Sequence, residues 1–140
     1  MFLARNMDRP PVSVSKIAEV ERIPKKTLEL VLSELRIAGY LFSKKGTTGG
    51  YVLNKTPGEI FLEGIVRLMD GPIARVSCAS AYHYRSCEEC LDETACSIKK
   101  VYLKIRENEL KILSATSIAD MVKDEQECGR ILILQETRAM

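Results

Sequence analysis

"SVSKIAEVERIPKKTLELVLSELRIAGYLFSKKGTTGGYVLN", residues 13–54, changes its apolar period once, at Gly39. Before that point Val14, Ile17 and Ala18 keep helical spacing behind Ser13, a residue suited to cap a helix start. A turn around Arg22 and Ile23 separates this helix from a second. There Pro24 suits the opening turn, because a missing N–H costs nothing at that place. Leu28, Val31, Leu32 and Leu35 share one face of the second helix, and Gly39 is placed to end it. After Gly39, "YLFSKK" and "YVLN" read as two short strands joined by the glycine-bearing turn "GTTGG". Two helices meeting at a short turn, followed by a β-hairpin, is the element order of a winged helix-turn-helix. A small α+β domain without affinity for nucleic acid has the same order.

Charge supports the first of these. Residues 1–58 hold ten Lys or Arg against five Asp or Glu, a net of +5, while residues 59–140 hold eleven against fourteen, a net of −3. A basic surface on one half is built to meet an anion, double-stranded DNA in this setting. In a helix-turn-helix the second helix enters the major groove by its N-terminal end, where free N–H groups favour phosphate. Lys25, Lys26 and Thr27 stand at that end. The lysines are expected on phosphates, and Thr27 and Glu29 at base edges, Glu29 accepting from a cytosine amino group. The hairpin tip adds Lys44, Lys45, Thr47 and Thr48 among glycines that let a backbone approach a duplex closely.

The 140 residues suffice for one ordinary domain, or a small domain with an attached dimerisation element. Apolar residues at 46% and charged residues at 29% are those of a soluble globular protein. No apolar run is long enough to cross a bilayer. No targeting pattern is visible, so a cytoplasmic protein without a membrane partner is expected.

Four segments follow from these signals: 1–72 for the DNA-binding domain, 73–96 for a cysteine-rich loop, 97–114 for a long helix, and 115–140 for a short helix and tail. "MFLARNMDRPPV" looks like the last turns of a helix, broken by Pro10 and Pro11. "TPGEIFLEGIVRLMDGP" predicts a helix from Thr56 or Gly58 through Ile60, Leu62, Ile65, Val66 and Met69, packed under the hairpin. "SIKKVYLKIRENELKILS" carries Ile98, Val101, Tyr102, Ile105 and Ile112 as a helical stripe between charged flanks. A second copy of the chain is the expected cover, making a homodimer; folding back onto the same subunit is the alternative. "TSIADMV" predicts a short helix capped by Thr116, and "GRILILQETRAM" has no readable motif.

Four of the five cysteines, Cys78, Cys87, Cys90 and Cys96, lie within nineteen residues, three of them in "SCEECLDETAC". In a reducing compartment such clustering points to metal or redox chemistry before a disulfide framework. Four thiolates suit a [2Fe–2S] or [4Fe–4S] cluster and equally a tetrahedral zinc site. Cys87 and Cys90 form a CxxC pair that could instead oxidise as a bare thiol switch. Glu88, Glu89, Asp92 and Glu93 crowd the thiols and disfavour further negative charge, with Arg85, Lys99 and Lys100 as offsets. A thiol–disulfide oxidoreductase would place CxxC at a helix start after a strand in a βαβ unit. No such pattern surrounds Cys87, so an enzyme is not expected. His83, the only histidine, and Cys128 are given no role.

With hairpin and cysteine loop in place, the chain resembles the IscR/NsrR family of bacterial winged-helix regulators (the Rrf type) over nearly its whole length. The likeness is carried by "IAEVERIPKKTLELVLSELRIAGYLFSKKGTTGGYVL", "EIFLEGIVRLMDGP", the cysteine loop and "TSIADMV". It implies a mainly α fold with a small hairpin, a winged helix-turn-helix followed by a long dimerisation helix. It also implies a homodimer on operator DNA whose binding a cysteine-ligated iron–sulfur cluster controls. Two departures stand out. The family has a further helix before the residues matching "LARNM", so the first helix is expected to be truncated here. The first of the family's three cysteines falls at Tyr84, and a histidine found in one branch falls at Lys99. The family's ligand set therefore does not carry over residue by residue.

Overall fold

The computed structural model describes residues 1–46 and 48–138, with side chains to 128. Thr47, expected at the wing tip, lies outside the described residues. Among the described residues, six helices and one two-stranded antiparallel sheet divide into two compact units. One holds Met1–Ile60 and the chain from Ser117 onward, the other Phe61–Thr116.

In the first unit, helix α1 spans Phe2–Arg5, α2 Val14–Glu21 and α3 Lys25–Ile37; strands β1 and β2 span Leu41–Lys44 and Gly50–Leu53. The Ser13 hydroxyl caps α2 by accepting from the Lys16 N–H. Arg22 closes the helix in the left-handed region (φ 55°), an unusual conformation for a residue with a Cβ. Pro24 occupies the N-cap of α3, one place before the opening turn. Gly39 ends α3 at φ 80°, with the Tyr40 N–H returning to the Leu35 carbonyl. Ile17, Leu28, Leu32 and Leu41 form the buried core, with Phe2, Leu3, Val12, Tyr40 and Tyr51 around it. Each such side chain contributes about 1.5–3 kcal/mol when removed from water. Arg5 pairs with Glu21 (2.6 Å) and Glu125 (3.2 Å), tying α1 to α2 and to the last helix.

The hairpin pairs Leu41 with Leu53 and Lys44 with Gly50. Val12 joins its edge by two backbone hydrogen bonds with Tyr51, at 2.9 and 3.2 Å. Gly50 makes that approach possible, because a Cβ there would meet the Val12 backbone, whose atoms cannot swing aside. Gly50→Ala is expected to separate the bridge and cost about 2–3 kcal/mol, two backbone hydrogen bonds plus strain. A denaturant midpoint unchanged from the parent chain would show that the strand absorbs the methyl group.

Three expectations change here. Thr56 and Glu59 form a capping box on a single 3₁₀ turn, Pro57–Glu59, and the chain is extended again at Ile60 and Phe61. Helix α4 therefore begins only at Leu62 and runs to Met69. It packs against α5, Ser97–Ala115, and belongs with it to the second unit, whereas the hairpin belongs to the first. Periodicity gave α4 an apolar face but could not name its partner. The C-terminal segment is one helix of 21 residues, α6, Ile118–Arg138, in place of a short helix and tail. Its cap is Ser117, whose hydroxyl accepts from the Asp120 N–H while the Asp120 carboxylate accepts from the Ser117 N–H and hydroxyl. These bonds hold the Asp120 carboxyl below its ordinary range. Thr116 instead donates to the Ile112 carbonyl at the end of α5. With no proline after Ser117 and many good helix formers, nothing stops α6 early.

Candidate functional site: a basic helix and a four-thiol cavity

Pro24 gives α3 no side-chain cap, so the first N–H groups of the helix stay open to an anion. Lys25, Lys26 and Thr27 fill that first turn and are all exposed. Glu29 lies one turn on, 4.0 Å from the Lys25 ammonium in an exposed pair worth a few tenths of a kcal/mol. So weak a pair leaves both side chains available to other partners. Lys44 closes β1, and Lys45 and Thr48 are exposed beside Gly46, which turns at φ 114°. The hairpin core thus presents the lysines of α3 and of the wing to solvent. Such a surface can bind phosphates and reach base edges.

The second unit holds the thiols. From Ile73 to Cys96 the chain is irregular apart from one 3₁₀ turn, Ser77–Ala79, anchored by buried Ile73, Ala79 and Ser80. Cys78, Cys87, Cys90 and Cys96 all line one cavity of about 520 Å³, together with Val76, Ile98, Glu89, Glu93 and Lys99. The Cys90 N–H donates to the Cys87 carbonyl, so the CxxC pair shares a single turn. Cys96 is the N-cap of α5, its sulfur accepting from the Lys99 N–H at 3.4 Å. All four are free thiols. Burial pushes the Cys90 thiol up, and the neighbouring Cys96, Cys87 and Glu93 add to it.

A cysteine-ligated cluster can be tested against these residues. Four soft thiol donors around an open space have the chemistry and the room for one. Among the described residues, no group of three or more His, Cys, Asp or Glu converges closely enough to hold a single metal ion. The four thiols share the lining of one cavity without meeting at a single-metal geometry.

The acidic crowding is partly neutralised. Lys99 pairs with Glu93, and the Tyr84 hydroxyl donates to the same carboxylate at 2.6 Å. Both contacts hold the Glu93 carboxyl below its ordinary range. The Lys99 ammonium also lies 5.6 Å from the centre of the Tyr84 ring. Asp92 is occupied by the Thr94 N–H and hydroxyl. Thus Tyr84 and Lys99 tie down the loop beside the thiols. Glu93 lies nine residues from Tyr84 and six from Lys99, spacings that match no regular period, so the sequence pattern did not reveal these contacts. His83 faces elsewhere, into a separate cavity of about 380 Å³ with Arg67, Gly71, Pro72 and Tyr82. Cys128, exposed on α6, belongs to the other unit.

Helix α5 has two faces. Tyr102, Leu103, Leu110 and Leu113 are half-buried, whereas Ile98, Val101, Ile105 and Ile112 are exposed. The expected stripe is thus present without Tyr102, which turns towards the unit's own interior. Ile98 serves twice, in the stripe and in the lining of the thiol cavity.

Comparison with known proteins bears on both regions. A family model described as "Rrf2: Iron-dependent Transcriptional regulator" matches residues 1–124. The Rhodobacter capsulatus protein named "Putative HTH-type transcriptional regulator rrf2-like" is 34% identical over 129 residues, 92% of this chain and 86% of that one. The structure of CymR, the global cysteine regulator of B. subtilis, superposes with a TM-score of 0.70 at 30% identity, covering 86% of this chain and 84% of its own. That of T. potens IscR does so at 0.70 and 28%, covering 90% and 79%. No helix among the described residues is long and apolar enough to cross a membrane. Lysine-edged α3, the wing and this breadth of similarity lead to one conclusion: the chain belongs to the Rrf2 family and is a DNA-binding transcriptional regulator, not an enzyme.

Proposed function

We propose that the protein is a cytoplasmic homodimer that binds operator DNA through α3 and the wing, with an affinity set by an iron–sulfur cluster on Cys78, Cys87, Cys90 and Cys96. The observation that carries the reading is the convergence of all four thiols on one cavity whose lining includes Ile98. A bound cluster would supply a redox-sensitive centre that gains or loses electrons, or is lost altogether. The chain's own residues do the rest. The thiols hold the 73–96 loop, Cys96 fixes that loop to the start of α5, and Ile98 carries its state into the stripe that faces the second copy. A change in how two α5 helices pair alters how two α3 helices meet two half-sites, and hence operator affinity. The family description as iron-dependent and the T. potens IscR likeness support this reading.

Phosphate binding by α3 is tested by salt. Replacing Lys25 and Lys26 together with alanine is expected to lower the slope of log affinity against log salt by about two and to weaken binding about tenfold on every duplex. An unchanged slope would remove α3 from the interface.

A second reading rests on the shared turn of Cys87 and Cys90. Without metal, these two free thiols can join as a disulfide, giving up two protons and two electrons to an oxidant. The likeness to CymR, a cysteine regulator, favours it. A zinc staple on the same four sulfurs is the remaining alternative.

A further inference from the structure

On α3 the buried side is marked by Leu28 and Leu32, so the helical period turns Lys26, Leu30, Ser33 and Ile37 to the opposite side. Leu30 is 69% exposed there and contributes nothing to the core cluster. A helical side chain leans back over the preceding turn, which brings the Leu30 methyl groups level with Lys26 at the entering end of the helix. Lys25 and Lys26 stand one turn before this apolar spot and Glu29 and Glu34 adjoin it, on a half of the chain (residues 1–58) that carries a net charge of +5. The basic end of the helix matches a polyanion. The one apolar group that B-DNA offers in its major groove is the 5-methyl of thymine.

We infer that Leu30 is a specificity-determining residue that reads a thymine methyl group in each operator half-site, one base step from the pair contacted by Thr27 or Glu29. The inference rests on the proposed docking of α3 in the major groove and adds to it what the helix selects. Lysines on phosphates hold the helix in register but carry no sequence information. Leu30 supplies discrimination for an A·T pair by contact and against a G·C pair, whose cytosine amino group would be left unpaired against a hydrocarbon.

The test uses the full chain and duplexes selected from a random pool by the unsubstituted protein. In the selected site each thymine is exchanged in turn for uracil, which removes the methyl group and nothing else. One position per half-site is expected to lose about fourfold in affinity, the weight of one buried methyl. Leu30→Ala should bind thymine and uracil equally there, and Leu30→Gln should prefer adenine at that position. Leu30 is exposed, so both variants should keep the parent's circular dichroism and thermal midpoint. A flat uracil scan in a protein that binds with the expected salt slope overturns the thymine contact alone. So does a uracil effect of the same size in Leu30→Ala. Failure of the unsubstituted protein to bind any duplex overturns the DNA reading and this inference with it.

Discussion

Protein in which Cys87 and Cys90 are both alanine, purified without oxygen, is expected to contain no iron or inorganic sulfide. The unsubstituted chain is expected to carry both in matching amounts, with visible charge-transfer absorption. The effect should be total, because the substitution removes two of four donors from one cavity, and the pair comes from a single turn. Two thiols cannot complete the coordination that a [2Fe–2S] or [4Fe–4S] group requires. Burial pushes the Cys90 thiol up, and Cys96, Cys87 and Glu93 add to it, so this sulfur keeps its proton until a cation draws it off. Cys128→Ala serves as the control and should keep full iron, since Cys128 lies outside the unit that forms the cavity. An iron-free parent chain containing zinc would favour the zinc staple. A metal-free chain that loses two hydrogens on mild oxidation, at Cys87 and Cys90, would favour the thiol switch.

Operator binding should follow the same substitution only if the loop is coupled to dimer geometry. The measurement is affinity with and without iron on one protein preparation. Equal affinities in the two states would leave a cluster with no regulatory role.

The winged half could be read from residues because its signals are local. Ser13 caps α2, Gly39 adopts the left-handed turn that ends α3, and the two hairpin strands fall on "YLFSKK" and "YVLN" to within a residue. Each depends on neighbours within a few positions, where spacing carries full information. What spacing cannot give is a partner. The apolar face of α4 was visible, but its packing on α5 was not, nor was the extended stretch at Ile60 and Phe61 that delays the helix start. Two adjacent hydroxyl residues, Thr116 and Ser117, were equivalent caps until Asp120 chose the second. Clustering of four cysteines was enough to expect them near one another, and they line one cavity, while the Glu93 contacts of Tyr84 and Lys99 needed the fold of the loop.

A chain carrying Ile105→Asp and Ile112→Asp is expected to sediment as a monomer and to lose two to three orders of magnitude in operator affinity. Both side chains are exposed on α5 with Ile98 and Val101, an apolar row seven residues in period that its own unit covers only in part. Two copies meeting about a two-fold axis would bury the row twice, so each substitution places two carboxylates in the contact. Burying a charge without a partner costs more than an interface of this length gains, and the dimer should dissociate. Losing the second half-site then removes the advantage of a tethered second contact, about a hundredfold to a thousandfold. Glu107→Lys, a charge change on the opposite face of α5, should leave assembly and affinity unchanged. The two aspartates lie outside the lining of the thiol cavity, so iron content should survive the change and distinguish a lost dimer from a collapsed loop. A variant that remains dimeric would show that the row is not the contact. A monomer that binds as tightly as the parent would mean that one α3 and one wing suffice for the operator, and control through dimer geometry would have no basis.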